Sequence, residues 1–237
     1  MIFRRRKKAP YSIFQIGFNR CGTSSLAYLF EKCGYKAAHW EKGKIAVGME
    51  LARINDEPLL SYTDDYDLYT DLEKVNLWRL PKLKWRYSIF RKYLREIDED
   101  VEQKPPIYAF KYFKKLDKQY TGSKFILNTR NVDNWIESRL KLNTNNNKIA
   151  YRSCTCGDNV HESKEELANC WRGEWEEHHA SVKSYFSDRP NSLLVFNIEK
   201  DPVNKITSFF KRLELDTSFW KKRNPTTEYK NLLDNQT

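Results

Sequence analysis

No stretch of this chain is apolar for long enough to cross a membrane, and no signal peptide is visible among its 237 residues. Cysteine is also scarce, because the chain has five, an odd number scattered along its length. This usage is typical of an intracellular protein with free thiols rather than of a disulfide-rich secreted one. Together these absences predict a cytoplasmic protein that does not insert stably into a membrane.

Three of the cysteines fall close together in the sequence. Cys154 and Cys156 form a Cys-x-Cys pair, with His161 and Cys170 further along. Zinc sites use regular ligand spacings that this set does not match, so we expect no metal site here. A local disulfide and ordinary free thiols remain as the two alternatives.

A glycine-bounded loop near the N-terminus is the most informative stretch. Residues 12–34 predict a short apolar strand, the loop and then a helix, and Gly17 and Gly22 give the loop a Gly-x-x-x-x-Gly frame. Thr23 and Ser24 open the helix, where backbone N–H groups and the helix dipole favour an anion. This order of elements predicts a phosphate-binding site.

Lysine is missing from the position where a nucleotide kinase or NTPase has it. Thr23 directly follows the second glycine, and the side-chain cation of the loop is Arg20. A P-loop kinase would also need an acidic residue at a strand end to organise Mg²⁺, and the strand at 193–198 runs into Glu199, a poor substitute. The kinase is therefore the weaker alternative.

A second candidate anion site follows the clearest predicted strand, residues 124–129. Arg130 comes next, and Ser138 lies eight residues later on a predicted helix. An Arg and a hydroxyl form charge-assisted hydrogen bonds to one phosphate, so this pair is a candidate phosphate site near the sheet edge. A lone Arg after a strand is more often a salt-bridge partner, and that alternative stays open.

Strand-like and helix-like segments alternate along the chain. The predicted strands are residues 35–40, 107–113, 124–129 and 193–198, and the predicted helices are residues 42–55, 78–97, 114–120, 131–141, 163–186 and 202–213. Residues 62–72 are predicted as a loop, with a short strand ending at Asp71 as the alternative. The alternation predicts an α/β fold of three layers, α/β/α, around a mostly parallel sheet that binds ligands at the carboxyl ends of its strands.

One domain is predicted over residues 12–224, between a basic N-terminal tail (1–11) and a polar C-terminal tail (225–237). Its longest helix opens with a capping box formed by Ser163 and Glu166, and the aromatic stripe that follows is expected in the core.

The charge balance favours an anionic ligand without identifying it. Lys and Arg outnumber Asp and Glu by 42 to 32, which fits a nucleotide, a nucleic acid or a membrane surface. Residues 78–95 interleave cations with aromatic side chains but contain no recognised nucleic-acid-binding motif. We expect a surface helix there and no nucleic-acid partner, although a nucleic-acid-binding module remains an alternative.

The two anion motifs together resemble the sulfotransferase superfamily that uses 3′-phosphoadenosine 5′-phosphosulfate (PAPS). The first motif of that family is a strand–loop–helix with a cation two residues before Gly-Thr, and here it begins at Arg20; the second is a strand ending in Arg with Ser eight residues later, and here it is Arg130 and Ser138. The resemblance covers roughly the whole chain and is closest to small bacterial-type members. It implies the P-loop-kinase-like sulfotransferase form of the three-layer fold.

The resemblance also implies roles for individual residues. The residues that would bind the 5′-phosphosulfate are Arg20, Cys21, Gly22, Thr23, Ser24 and Ser25. Arg130 and Ser138 would bind the 3′-phosphate. The implied reaction is in-line transfer of a sulfuryl group to a hydroxyl or amine of a small-molecule or carbohydrate acceptor, leaving 3′-phosphoadenosine 5′-phosphate (PAP) and requiring no metal. Arg20 would neutralise the leaving phosphate oxygen.

The chain departs from the family pattern in three places. Arg20 replaces the usual catalytic Lys, and Ser25 replaces the aromatic residue that stacks on adenine in cytosolic members. In those members a Lys-x-His stretch supplies the general base. The corresponding stretch of this chain is residues 110–112, which contains no His.

A general base must therefore come from elsewhere. His39 is the first candidate, since it ends a predicted strand beside the first loop and its ordinary pKa suits proton transfer near neutrality. Asp71 is the second. A structural histidine and a helix cap are the alternative roles for these two residues, and a nucleotide-binding relative without catalytic activity remains an alternative for the whole chain.

Overall fold

The computed structural model describes residues 6–74, 88–96, 106–144 and 163–221. Its strands are β1 (Ile13–Gln15), β2 (Ala37–His39), β3 (Leu68–Thr70), β4 (Glu73–Lys74), β5 (Ile107–Tyr108), β6 (Lys124–Thr129) and β7 (Leu193–Asn197). Five of them form a parallel sheet in the spatial order β2-β3-β1-β6-β7, and β4 pairs with β5 in a separate antiparallel ribbon.

Helices flank this sheet on both faces. They are α1 (Thr23–Lys32), α2 (Lys44–Ile54), α3 (Ser88–Glu96), α4 (Phe113–Gln119), α5 (Val132–Thr144), α6 (Lys164–Tyr185) and α7 (Asn204–Phe209). Short 3₁₀ turns occupy Glu41–Gly43, Ala109–Tyr112 and Thr217–Phe219. The predicted α/β fold with a central parallel sheet is confirmed.

The core is divided in two because successive residues of a strand point to opposite faces of a sheet. Phe14 and Phe125 are buried in one cluster with side chains of α2, α5 and α6. Their neighbours Ile13 and Ile126 are buried in the other cluster with side chains of α1 and α7. The two clusters make the three layers that the alternation of elements predicts.

Strand β1 is the switch point of the sheet. It pairs with β3 on one side and with β6 on the other, so that Ile13 lies opposite both Leu68 and Lys124. The chain adds β2 and β3 on the first side and β6 and β7 on the second. Ligands of open α/β sheets bind outside the carboxyl end of the strand where the order reverses, and the loop after β1 occupies that position here.

Helix α6 confirms the sequence prediction of its start and its buried face. The Ser163 hydroxyl accepts a hydrogen bond from the Glu166 N–H at 3.1 Å, and the Glu166 carboxylate accepts one from the Ser163 N–H at 3.4 Å. The predicted stripe is buried, and its members are Trp171, Trp175, His178, Val182 and Phe186. The rings of Trp175 and Trp135 lie 4.5 Å apart between centroids, which packs α6 against α5.

The structure corrects the loop prediction for residues 62–72. Leu68–Thr70 is strand β3, buried between β1 and β2, and the alternative of a short strand before Asp71 is the correct one. A strand of three residues is too short to show the alternation of apolar and polar side chains that predicts a strand, and its neighbours are aromatic and acidic. Their burial comes from the two strands that pair with them.

Two predicted elements are shorter than expected. The strand prediction for residues 107–113 is right for Ile107–Tyr108 alone, since the chain then turns through Ala109–Tyr112 into α4. The helix predicted over residues 202–213 is confined to Asn204–Phe209.

Several predictions fall partly or wholly outside the described residues. Of the helix predicted over residues 78–97, the described part is helical as α3. The C-terminal tail (225–237), the Cys154–Cys156 pair and His161 lie outside the described ranges.

Cysteine chemistry differs from the sequence expectation. Cys21 and Cys33 are free and buried, whereas Cys170 is disulfide-bonded to a partner outside the described residues. The expectation of free thiols is therefore wrong for Cys170, and the disulfide alternative is correct there. Among the described helices, none combines the length and the apolar character that a membrane crossing requires.

The close approach of β1 and β6 gives a stability prediction at Gly17. A Cβ at this position would lie 2.3 Å from both the backbone and the side-chain oxygen of Asn128. We expect Gly17→Ala to lower the free energy of unfolding by about 1–3 kcal/mol, because the strand ends must separate. Urea denaturation measures the change.

Gly173→Ala is the matched control for this prediction. Gly173 lies within α6, and a Cβ there would meet no atom within 4 Å. This variant should gain about 0.5–1 kcal/mol from the lower backbone entropy of alanine. Equal stabilities of the two variants would contradict the described packing at Gly17.

Candidate active site

The loop between β1 and α1 is shaped for an anion at the helix end. Arg20 and Gly22 both have left-handed backbones, with φ of 62° and 82°. Gly22 is the N-cap of α1, and glycine brings no side chain to cap the helix. The positive end of the helix dipole and its first N–H groups therefore face the position where the predicted phosphate would bind.

Two buried amide side chains hold this loop. The Gln15 amide nitrogen donates to the Gly17 carbonyl at 2.6 Å and to the Asn128 side-chain oxygen. The Asn128 amide nitrogen in turn donates to the Cys21 carbonyl at 2.8 Å. Sequence reasoning missed these amides, because single polar residues inside apolar strands are not distinctive until the strands are paired.

Arg20 connects the two predicted motifs. Its Nε donates to the Ser138 hydroxyl of α5 at 3.0 Å, so Ser138 holds the cation of the first loop. The Arg130 guanidinium donates from Nη1 to the Arg20 carbonyl at 3.2 Å. Arg20 thus contacts both members of the second motif.

Arg130 also forms the ion pair that the sequence left open as an alternative. Its Nε and Nη2 donate to Oε1 of Glu199 at 3.0 and 2.7 Å. The same carboxylate accepts from the Asn131 N–H at 2.9 Å and from the Asn134 amide at 3.1 Å. Glu199 was not among the predicted site residues, because only the pairing of β6 with β7 brings it beside Arg130.

His39 lies directly beside the loop. Its Nε2 is 3.0 Å from the Ser24 hydroxyl, and its Nδ1 is 3.3 Å from the Thr70 hydroxyl. The Thr70 hydroxyl donates its own proton to the Ala38 carbonyl at 2.9 Å, so its oxygen accepts from Nδ1–H. In the neutral imidazole these contacts place the proton on Nδ1 and leave the lone pair of Nε2 facing Ser24.

Asp71 lies close to His39 and has a raised pKa. Its Oδ2 is 3.9 Å from His39 Nδ1, and its N–H donates to Gln15 Oε1 at 2.9 Å. Burial raises the pKa of Asp71 to about 7, against the opposing effect of the Arg20 and Arg139 charges. The Oδ1 atom is buried without a hydrogen-bond partner among the described residues. A carboxyl group that titrates near neutrality therefore lies next to the candidate base.

Two further buried charged residues, Glu73 and Arg139, were missed by the sequence reasoning. Burial raises the pKa of Glu73 to about 8, although the Arg139 charge lowers it. Arg139 is fully buried, with its guanidinium 4.9 and 4.7 Å from the ring centroids of Trp135 and Trp171. Glu73 accepts a hydrogen bond from the Asn19 amide of the loop. This pair lies directly behind the first motif.

The remaining predicted residues contribute in more limited ways. Thr23 and Ser25 are buried in the first turn of α1. Burial raises the pKa of the Cys21 thiol, so this side chain is protonated, and its carbonyl is held by Asn128. Lys111 forms an ion pair with Glu174 at 3.4 Å. Among the described residues, no group of three or more His, Cys, Asp or Glu side chains could hold a metal ion.

Comparison with known families identifies the class to which this chain belongs. A family model described as a sulfotransferase domain matches residues 12–210, which is most of the chain and includes both motifs. The chain therefore belongs to the sulfotransferase domain family, as the resemblance implied. Membership supports a transferase that moves a sulfuryl group. A search of curated proteins found no match.

The raised pKa of Glu73 predicts how its contribution to stability changes with pH. A carboxyl group whose pKa is higher in the folded state stabilises the fold at low pH, and this contribution is lost as the pH rises through the folded-state value, here about 8. Glu73→Gln keeps a neutral group at the site. Relative to wild type, we expect this variant to become progressively more stable between pH 5 and 8, by at most about 1.4 kcal/mol per pH unit.

Urea denaturation of both proteins across this pH range tests the prediction. Glu176→Gln on the exposed face of α6 is the control, and its stability difference from wild type should stay constant with pH. A constant difference for Glu73→Gln as well would contradict the buried, protonated state of Glu73.

Proposed function

We propose that this protein is a PAPS-dependent sulfotransferase that transfers the sulfuryl group in line to a hydroxyl or amine of a small-molecule or carbohydrate acceptor. The observation that carries the proposal is the contact of Arg20 with Ser138. It joins the two family motifs at the N-terminus of α1, with His39 beside the same turn.

The residues present fit the donor. The Gly22 N-cap and the first turn of α1 would hold the 5′-phosphosulfate, with Arg20 supplying positive charge. Arg130 and Ser138 would hold the 3′-phosphate. Two anion sites around one loop, with Thr23 in place of the kinase lysine, suit a nucleotide phosphorylated at both ends. When bound, PAPS supplies an activated sulfuryl group on a phosphate leaving group.

Arg20 has the position required to stabilise charge on the leaving phosphate oxygen. Its Nε is held by Ser138, so its direction is set before a ligand binds. A preorganised cation needs little rearrangement when negative charge develops, and such groups supply much of the catalysis in transfer reactions.

His39 is proposed as the base that accepts the acceptor's proton. The lone pair of Nε2 faces the Ser24 hydroxyl. The acceptor's hydroxyl either takes the place of the Ser24 hydroxyl beside Nε2 and gives up its proton directly, or passes the proton to Nε2 through the Ser24 hydroxyl. Asp71 lies 3.9 Å from Nδ1. When its carboxyl group is ionised, its negative charge stabilises the imidazolium that forms on His39. Asp71 acts on the reaction through His39 and is a positioning residue.

The kinase alternative lacks the lysine that it requires after the second glycine. Thr23 occupies the lysine position, and Glu199 at the end of β7 is hydrogen-bonded to Arg130. No described contact favours nucleic acid as a ligand over a nucleotide.

The cytoplasmic location remains a prediction. The disulfide at Cys170 weighs against it, because disulfides persist mainly in oxidising compartments. Mass spectrometry of the native protein, alkylated before reduction, distinguishes the two: a blocked Cys170 thiol supports the cytoplasm, and an unmodified one supports an oxidising compartment.

Calorimetric titration with PAP tests the donor site. We expect wild type to bind PAP and to bind ATP with Mg²⁺ more weakly. Arg130→Ala should weaken PAP binding by about tenfold or more, because it removes charge-assisted hydrogen bonds to the 3′-phosphate. Arg212→Ala, which removes an exposed charge beside Lys124 at the amino end of β6, is the control and should leave PAP affinity unchanged. Preference for ATP with Mg²⁺ would contradict the proposal.

His39→Ala tests the base. We expect turnover, measured as PAP released from PAPS with a panel of phenols, amines and sugars, to fall about 100-fold or more while PAP affinity stays at the wild-type value. Added imidazole should restore part of the rate, since it replaces the missing proton acceptor. Turnover close to wild type would show that His39 is a structural residue.

A further inference from the structure

The carboxylate of Glu199 receives an unusually complete set of hydrogen bonds. Its Oε1 accepts from Arg130 Nε and Nη2 at 3.0 and 2.7 Å, and from the Asn134 amide at 3.1 Å. Its Oε2 accepts from the Asn131 N–H at 2.9 Å. Four donors from three residues surround one anion at the start of α5.

These donors are the ones that a phosphate group uses. A guanidinium presents a planar fork to phosphate or carboxylate oxygens, and the N–H groups at a helix N-terminus favour negative charge. Burial raises the pKa of Glu199, but the hydrogen bonds from Asn131, Arg130 and Asn134 lower it further and hold this pKa below its usual range. The carboxylate is therefore ionised at neutral pH. Glu199 therefore occupies an anion site as an internal ligand.

The turn that carries Glu199 is held without this carboxylate. The Ile198 N–H donates to the Thr129 carbonyl at 2.9 Å, and the Glu199 N–H donates to the Asn197 side-chain oxygen at 2.9 Å. Asp201 accepts from the Asn197 N–H at 2.7 Å. The backbone of the turn thus has its own hydrogen bonds, and the carboxylate is a separate contact that can exchange.

The ion pair is also accessible to a ligand. The side chains of Arg130 and Glu199 are 21% and 26% exposed, so both charged groups are partly open to solvent and to a competing anion. Arg130 simultaneously contacts the Arg20 carbonyl, which places the pair at the border of the donor loop.

We propose that Glu199 is an internal competitor for the 3′-phosphate of the donor nucleotide, and that this competition sets the affinity for PAP. The inference rests on the proposed function, since it concerns the same Arg130 subsite. A dianionic phosphate displaces the monoanionic carboxylate from Arg130, and the carboxylate returns when the product leaves. A nucleotide without a 3′-phosphate does not enter this exchange. The consequence for turnover is easier release of PAP.

Calorimetry with PAP and with adenosine 5′-phosphate tests the competition. We expect Glu199→Gln to bind PAP about tenfold or more tightly than wild type, because Arg130 is no longer neutralised, and to bind adenosine 5′-phosphate with unchanged affinity. Asp133→Asn removes a charge from the first turn of α5 that pairs with Arg172, and should change PAP affinity by no more than about twofold. In the double variant Arg130→Ala with Glu199→Gln the gain should disappear.

The outcomes separate this inference from the proposed function. If wild type binds PAP and Glu199→Gln binds it equally or more weakly, Glu199 is a structural clamp and the inference is overturned. If no protein binds PAP, the proposed function fails, and the subsite is tested with inorganic phosphate. A larger phosphate-dependent rise in melting temperature for Glu199→Gln than for wild type would then support the internal competitor, and an equal rise would overturn it. Glu199→Asp, with a shorter reach to Arg130, replaces Glu199→Gln if that variant does not fold, and the same outcomes apply.

Discussion

Two buried side-chain amides, on Gln15 and Asn128, determine where the loop between β1 and α1 lies. Gln15 reaches the Gly17 carbonyl and the Asn128 oxygen, and Asn128 reaches the Cys21 carbonyl. The remaining oxygen of Gln15 accepts the Asp71 N–H, which extends the network to the end of β3. Since buried polar groups are costly when left unpaired, these contacts favour one arrangement of the loop and of the carboxyl ends of β1, β3 and β6. The positions of Arg20, His39 and Asp71 around the loop follow from that arrangement.

The charged groups behind the loop give the site its electrostatic character. Asp71 and Glu73 are buried with raised pKa values, near Arg139 and, for Asp71, also near Arg20. Perturbed carboxyl groups of this kind concentrate at functional sites, because a catalytic centre needs charge in a poorly solvated place. The Arg139 guanidinium lies 4.9 and 4.7 Å from the ring centroids of Trp135 and Trp171, so the aromatic core of α5 and α6 packs against this cation. The Arg20 guanidinium is oriented by its hydrogen bond to the Ser138 hydroxyl.

The sequence was sufficient where a feature is encoded by neighbours along the chain. The strand before Arg130, the capping box at Ser163 and the loop around Arg20 are local patterns, and the structure confirms the strand and the box and places the loop after β1. Features that depend on strand pairing were missed. Thr129 lies opposite Asn197 in the register of β6 and β7, which puts Arg130 and Glu199 side by side, and no spacing in the sequence reveals this. Strand β3 was predicted only as an alternative to a loop for the same reason, as its burial comes from two partners distant in the chain. The electrostatic effect of Arg139 on Glu73 likewise depends on the fold, because the two residues are distant in the sequence.

The central claim is that the chain uses PAPS as a sulfuryl donor, and sulfur-labelled PAPS tests it most directly. The labelled donor would be incubated with the protein and a mixture of phenols, amines and carbohydrates, and the label followed by chromatography together with the PAP formed. We expect label in an acceptor product in equal amount to PAP, and none with Arg20→Ala. Label that stays in PAPS, or appears only as inorganic sulfate at the rate seen without protein, would contradict it.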